Sequence, residues 1–144
     1  MSRSMKDSPS WEEDDLAYVA GFIDGEGCFS VGKNWKICVS CANTHKPVVE
    51  WLQTHFGGSF CKNGTRLKKP NHRRIYSWSV VARDADRFCK AVAPYLRVKA
   101  EQALLLIAIQ QTMTPGGKRL SEEIIAERNR LSSMVKELKH VSWS

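Results

Sequence analysis

Acidic side chains are almost missing from the middle of this chain. Between Gly27 and Ala82 the only one is Glu50, set against nine lysines and arginines. The first 26 residues have the opposite bias, with seven acids and two bases, so the net charge of +7 conceals a more basic central segment. A localised basic region is the electrostatic footprint of a polyanion binder, although a merely soluble basic surface is the plainer alternative. Long apolar runs are missing too. The longest, Ala103 to Ile109, is far short of the roughly 20 residues a membrane helix needs, so no membrane partner is expected. The opening stretch, MSRSMKDSPSWEEDD, has no apolar core and does not read as a secretory leader. Five cysteines make an odd count for a disulfide framework, and reduced thiols in an intracellular compartment fit better. The chain's 144 residues, 42% of them hydrophobic, suit one core and leave little room for two.

The organisation expected is a polar arm over residues 1–13 followed by a single domain over 14–144. Asp14 or Asp15 caps a first helix over LAYVAGFID, which Gly25 and Gly27 end. CFSVGKNWKICVSC alternates apolar with polar residues and reads as two strands turning between Gly32 and Trp35. KPVVEWLQTHF, with Pro47 in its first turn and Gly57-Gly58 behind it, is a second helix. A second strand pair follows, joined by a basic loop around Pro70. A helix from Asp84 is then stopped or kinked by Pro94, an apolar helix spans EQALLLIAIQQTM, and Ser121 caps a last amphipathic helix. The class is α+β: helix-β-β-helix-β-β-helices around a twisted four-stranded antiparallel sheet. Helices cover one sheet face and the other is wet and basic, a saddle able to follow a DNA groove.

Ala17, Gly21 and Gly25 recur every fourth residue along one face of the first helix. Such a ridge admits a second helix closely. If that helix is the same one from a second copy, Asp24 and Glu26 of each meet at a two-fold axis. Like carboxylates there repel unless a divalent cation lies between them. The alternative is that the small residues pack on the protein's own core.

The run Val19-Ala20-Gly21-Phe22-Ile23-Asp24-Gly25-Glu26-Gly27 resembles the signature of the LAGLIDADG homing endonucleases. Asn43-Thr44, Gly57-Gly58, the Tyr76–Val81 strand and Pro94-Tyr95-Leu96-Arg97-Val98-Lys99 resemble further landmarks of the family, in order. The resemblance covers roughly residues 14 to 111. It implies a single-motif, intron-encoded meganuclease that acts as a C2 homodimer on a long near-palindromic double-stranded DNA site. The dimer would hydrolyse one phosphodiester per strand with Mg2+; Mn2+ would substitute, and Ca2+ would not support catalysis. By the same resemblance Glu26 binds metal, with the Gly25 carbonyl beside it. Lys99 stabilises charge near the scissile phosphate, and Asp24 ties helix ends together within a dimer interface of Ala17, Gly21, Asp24 and Gly25. Cys41 or Asn43, and His45, are the nearest matches to the water-positioning residues, where the chain departs from the common pattern. It also implies a place alongside DNA, in an organelle or in bacterial or phage cytoplasm.

Base reading is expected from Ser30, Gly32, Asn34, Lys36, Cys38, Ser40, Lys62, Gly64 and Arg66. Phosphate contact is expected from Lys68, Lys69, Arg73 and Arg74. Tyr76 and Trp78 read as core, and Cys28 and Cys89 as packed thiols. Zinc at Cys38, Cys41 and His45 is not expected: residues 38 and 41 of one strand face opposite ways and a fourth ligand is missing. The rivals are an intron RNA-binding maturase or a non-cleaving DNA-binding protein on the same fold.

Overall fold

The computed structural model describes residues 11–62, 74–113 and 120–139. Helix α1 (Glu13–Glu26) leads into β1 (Gly27–Val31), a turn of 3-10 helix (Lys33–Trp35) and β2 (Ile37–Asn43). Then come α2 (Lys46–Phe56), β3 (Ser59–Lys62), β4 (Tyr76–Val81), α3 (Ala82–Val92), a 3-10 turn (Ala93–Tyr95), α4 (Ala100–Gln111) and α5 (Glu122–Leu138). The four strands form one antiparallel sheet in the order β1-β2-β4-β3.

Strand alternation sorts the two faces. Phe29, Ile37, Val39, Cys41, Trp78 and Val80 are buried, and they meet Val19, Ala20 and Ile23 of α1, Leu52 and Phe56 of α2, Phe88 and Val92 of α3, and Leu106 and Ile109 of α4. Helix α4 is apolar nearly all round because it lies between α3 and α5. Trp78 is the largest fully buried side chain, its indole N–H donating to the Gly57 carbonyl at 2.7 Å. That bond fastens the α2–β3 corner, where Gly58 has φ +92° and an added Cβ would lie 2.4 Å from the Ser79 carbonyl oxygen. Gly58→Ala therefore combines a left-handed backbone with a backbone clash. It is expected to lower unfolding free energy by about 2 kcal/mol or more in urea titration.

Several element ends differ from the sequence expectation. Helix α1 begins at Glu13 behind Glu12, with no side-chain cap, so neither Asp14 nor Asp15 caps it. Their carboxylates instead sit in its first turn, where the helix dipole favours them. The folded part begins before residue 14: the Trp11 ring lies 5.0 Å from that of Phe56, so the core takes in the end of the expected arm. Pro94 does end α3, but the helix starts at Ala82 rather than Asp84 and stops at Val92. Ser121 caps α5 as expected, its hydroxyl accepting from the Ile124 N–H at 3.2 Å.

Candidate functional site

The site is built at the carboxyl end of α1. Residues Val19, Ala20 and Ile23 turn inward, which leaves Ala17, Gly21, Gly25 and Glu26 exposed on the opposite side. The protomer does not fill this face, since a Cβ added at Gly21 or Gly25 would meet nothing within 4 Å. Gly27 is different. A Cβ there would lie 2.6 Å from the Ile23 side chain, so the chain's own helix-to-strand passage requires that glycine. The alternative in which the ridge packs on the protein's own core is thereby overturned.

Asp24 faces the loop between the second 3-10 turn and α4. Its carboxylate accepts the backbone N–H groups of Arg97 at 2.7 Å, Val98 at 3.2 Å and Lys99 at 3.0 Å. Three charge-assisted bonds to the backbone make it a fastener. They also deliver Lys99. The Lys99 ammonium donates to the Gly27 carbonyl at 2.6 Å and the Ile23 carbonyl at 3.3 Å, closing the negative end of α1 from both sides of Glu26. An ammonium has three donors, so one N–H of Lys99 is left for another acceptor. No hydrogen bond or ion pair among the described residues engages the Glu26 carboxylate. Beneath it, Cys41 is paired across the sheet with Gly27; burial, and then the Glu26 charge, push its thiol up to about 12. Cys41 therefore stays a neutral thiol. A single protomer brings together no group of three acidic, histidine or cysteine ligands among the described residues.

Asp24→Ala is expected to cost about 2 kcal/mol in thermal or urea unfolding, because three backbone donors lose a charged acceptor. It should also loosen Lys99, seen as faster amide exchange at residues 97–99.

No protein-family model matches the sequence, and no curated protein matches it either. Solved structures do. The chain superposes with a TM-score of 0.67 on the homing endonuclease I-CvuI in complex with its target in 2 mM Ca, over 89% of this chain and 83% of that one at 20% identity. On I-CvuI with the I-CreI target in 2 mM Mg, whose DNA is not cleaved, the TM-score is 0.70 over 92% and 86%, again at 20% identity. On the archaeal intron-encoded homing endonuclease I-Vdi141I complexed with DNA it is 0.71 over 92% and 89%, at 22% identity. The fold is that of the homing endonucleases.

Within the homing-endonuclease fold the remaining candidates scatter more widely. Asn43 and His45 stand where β2 turns into α2. The Asn43 side-chain oxygen accepts from the His45 N–H at 2.8 Å, and His45 Nδ1 accepts from the Val48 N–H at 3.2 Å, capping α2. Both line a cleft with Tyr18, Phe22, Pro47, Val48 and Trp51, whose walls include neither Glu26 nor Lys99. Cys38 lies on the open sheet face and Cys41 on the covered one.

The open face itself is a correction. Its strands carry Cys28, Ser30, Cys38, Ser40, Ala42, Ser59, Cys61, Ser77, Ser79 and Val81, all uncharged, so among the described strand residues the face is wet but not basic, and positive charge comes from beside it, from Lys36 and Lys139 near Cys38. Lys62 pairs with Tyr76 in the row of Phe60 and Trp78, and so falls on the helix side of the sheet, exposed at the strand end. Cys28 is exposed rather than packed; Cys89 is buried, and that burial raises its thiol pKa. Lys36 and Arg74 are exposed; Gly64, Arg66, Lys68, Lys69 and Arg73 lie outside the described residues. Cys41, weighed in the sequence as a water-positioning match beside Asn43, is buried under Glu26, as period-two alternation with Ile37 and Val39 requires. Sequence reasoning missed Lys139, which shares a cleft with Cys28, Arg97 and Lys99. No local pattern signals that meeting of distant segments.

Proposed function

We propose that this chain is one half of a site-specific, metal-dependent DNA endonuclease that pairs with a second copy along α1 and hydrolyses one phosphodiester in each strand of a near-palindromic site. The observation that carries the reading is the unfilled face of α1 ending in an exposed Glu26 bracketed by the anchored Lys99. Two copies joined along Ala17, Gly21 and Gly25 juxtapose two Glu26 carboxylates and two Gly25 carbonyls, a donor set suited to a hard divalent cation such as Mg2+. Such an ion, when bound, activates water and stabilises the leaving oxygen.

The chain's own groups do the rest. Lys99 directs its remaining N–H to a phosphate oxygen and stabilises the charge that develops there. Asp24 holds the Lys99 loop against α1. Asn43 and His45 contribute at one remove, by setting the β2–α2 turn. Val98, 70% exposed in the loop that Asp24 fastens, offers apolar surface for the second copy to cover. The open sheet face, with its small Ser30, Cys38 and Ser40, lets bases approach closely. Gly32, Asn34 and Lys36 lie at the hairpin tip; Lys62, exposed at its strand end, and Arg74 offer positive charge to phosphates, with Lys68, Lys69 and Arg73 the further phosphate candidates and Gly64 and Arg66 the further base-reading candidates. The three superposed enzymes are each described in complex with DNA, which supports a duplex partner. Such a partner puts the protein beside a genome, in an organelle or in bacterial or phage cytoplasm.

The test is selection from a randomised near-palindromic duplex library with Mg2+. Enrichment of one pseudo-symmetric site cut on both strands is expected, with non-specific affinity falling steeply as salt rises. Enrichment of bound but uncut duplex in Mg2+ and in Mn2+ would instead favour a non-cleaving DNA-binding protein.

A further inference from the structure

The turn between β1 and β2 holds two consecutive non-glycine residues in the left-handed region, Asn34 at φ 59° and Trp35 at φ 57°. Asparagine tolerates that conformation, but for a bulky aromatic residue it is unfavourable and has to be held from outside. The holding contacts come from the far end of the chain. The Trp35 indole N–H donates to the Asn129 side-chain oxygen at 3.0 Å, and the Arg128 guanidinium lies 5.3 Å from the Trp35 ring centroid. Arg128 is only 4% exposed. It is itself fixed, Nε donating to the Thr112 hydroxyl and Nη2 to the Thr112 carbonyl, both at 2.8 Å. The hairpin tip is thus bolted to the corner between α4 and α5.

We infer that Trp35, Arg128 and Asn129 form a clamp that holds Gly32–Lys36 in one base-reading shape. They are positioning residues for specificity, acting through the exposed Lys33, Asn34 and Lys36. The inference rests on the endonuclease reading above. Hydrogen bonding to a base edge needs a fixed donor direction, and a loosened tip would sample several. The five residues of β1 separate the tip from Glu26. At about 3.3 Å per residue this is roughly 16–20 Å, or about five to six base pairs from the cleavage centre. The clamp therefore governs a defined outer stretch of each half-site and leaves the centre alone.

The experiment compares wild type with Asn129→Ala, Trp35→Phe and Trp35→Gly. Asn129 is exposed, so its loss removes one bond without opening the core. Phenylalanine keeps a ring for Arg128 but loses the N–H. Glycine adopts the left-handed conformation freely but offers nothing to hold, so it separates clamping from backbone preference. In the DNA-free protein, amide exchange at residues 32–36 is expected to quicken about tenfold in Asn129→Ala and Trp35→Phe and further in Trp35→Gly, with core exchange unchanged. In the library selection, base discrimination about five to six pairs from the centre is expected to fall about tenfold, with central positions unchanged. Exchange that stays at the wild-type rate in Trp35→Gly overturns the clamp, as does loosening with an unaltered selection profile. If wild-type protein selects no duplex at all, the endonuclease reading falls and takes the base-reading role with it, while the exchange result still reports on the clamp's hold.

Discussion

Glu26→Gln is expected to abolish cleavage of both strands, by at least about a thousandfold, while duplex affinity in metal-free buffer stays within about twofold of wild type. Glutamine keeps the size of the side chain and removes the negative charge that a hard cation requires. The folded protomer has little stake in that charge, because Glu26 is exposed and no described residue bonds its carboxylate. The melting temperature should therefore be unchanged, which separates lost chemistry from lost structure. In the proposed reading DNA is bound away from Glu26, by the sheet face and basic side chains, so affinity is expected to be retained and to rise slightly as an acid facing phosphate disappears. Wild type in chelator, or with Ca2+ in place of Mg2+, is expected to bind and not cut, reproducing the variant. Single-turnover cleavage of the selected duplex, beside an equilibrium binding titration, measures both quantities. A Glu26→Gln protein that cuts near the wild-type rate would move the active site away from α1.

How much of this was legible before the fold depends on the range of each interaction. Helix ends set by nearby residues were readable: Pro47 opens α2, Gly57 closes it and Ser121 caps α5. So were the buried rows of β1 and β2, where Phe29, Ile37 and Val39 alternate with small polar residues. Lys62 shows how the same rule is missed. Phe60 is two residues earlier in β3, so period two sends both side chains to one face, yet the basic loop beyond drew Lys62 to the other. In β1 the same alternation, with Phe29 inward, puts Cys28 outward.

The resemblance already set Asp24 apart from Glu26 as a structural tie, but the residues' own chemistry did not: the sequence places two similar acids two residues apart. What separates them physically is the loop at residues 97–99, more than seventy positions away, whose three N–H groups take up Asp24 and leave Glu26 bare. Trp35 is similar: its strained backbone and its hold on Arg128 and Asn129 are invisible until α5 packs beside β1.

Gly21→Leu is expected to convert a dimer of twice 16.3 kDa into a monomer that folds well and no longer cuts DNA. Two physical effects oppose each other at this position and so can be told apart. Inside the protomer a side chain at residue 21 meets open space, and replacing glycine by leucine in a helix interior favours the helix by about 0.5–1 kcal/mol. Between protomers paired along α1, the same side chain would wedge apart two helices whose approach would depend on Ala17, Gly21 and Gly25 being small. At concentrations where both proteins are monomeric, the variant should therefore melt slightly higher than wild type. At micromolar concentration, sedimentation equilibrium should show wild type as a dimer and the variant as a monomer. Cleavage should fall with dimerisation, because one Glu26 and one Gly25 carbonyl are half of the donor set. Gly21→Ala, adding a single methyl, is expected to weaken association without eliminating it. A Gly21→Leu protein that still sediments as a dimer and cuts both strands would show that the copies meet on another surface. One that melts well below wild type would show that α1 fills its groove from within the protomer.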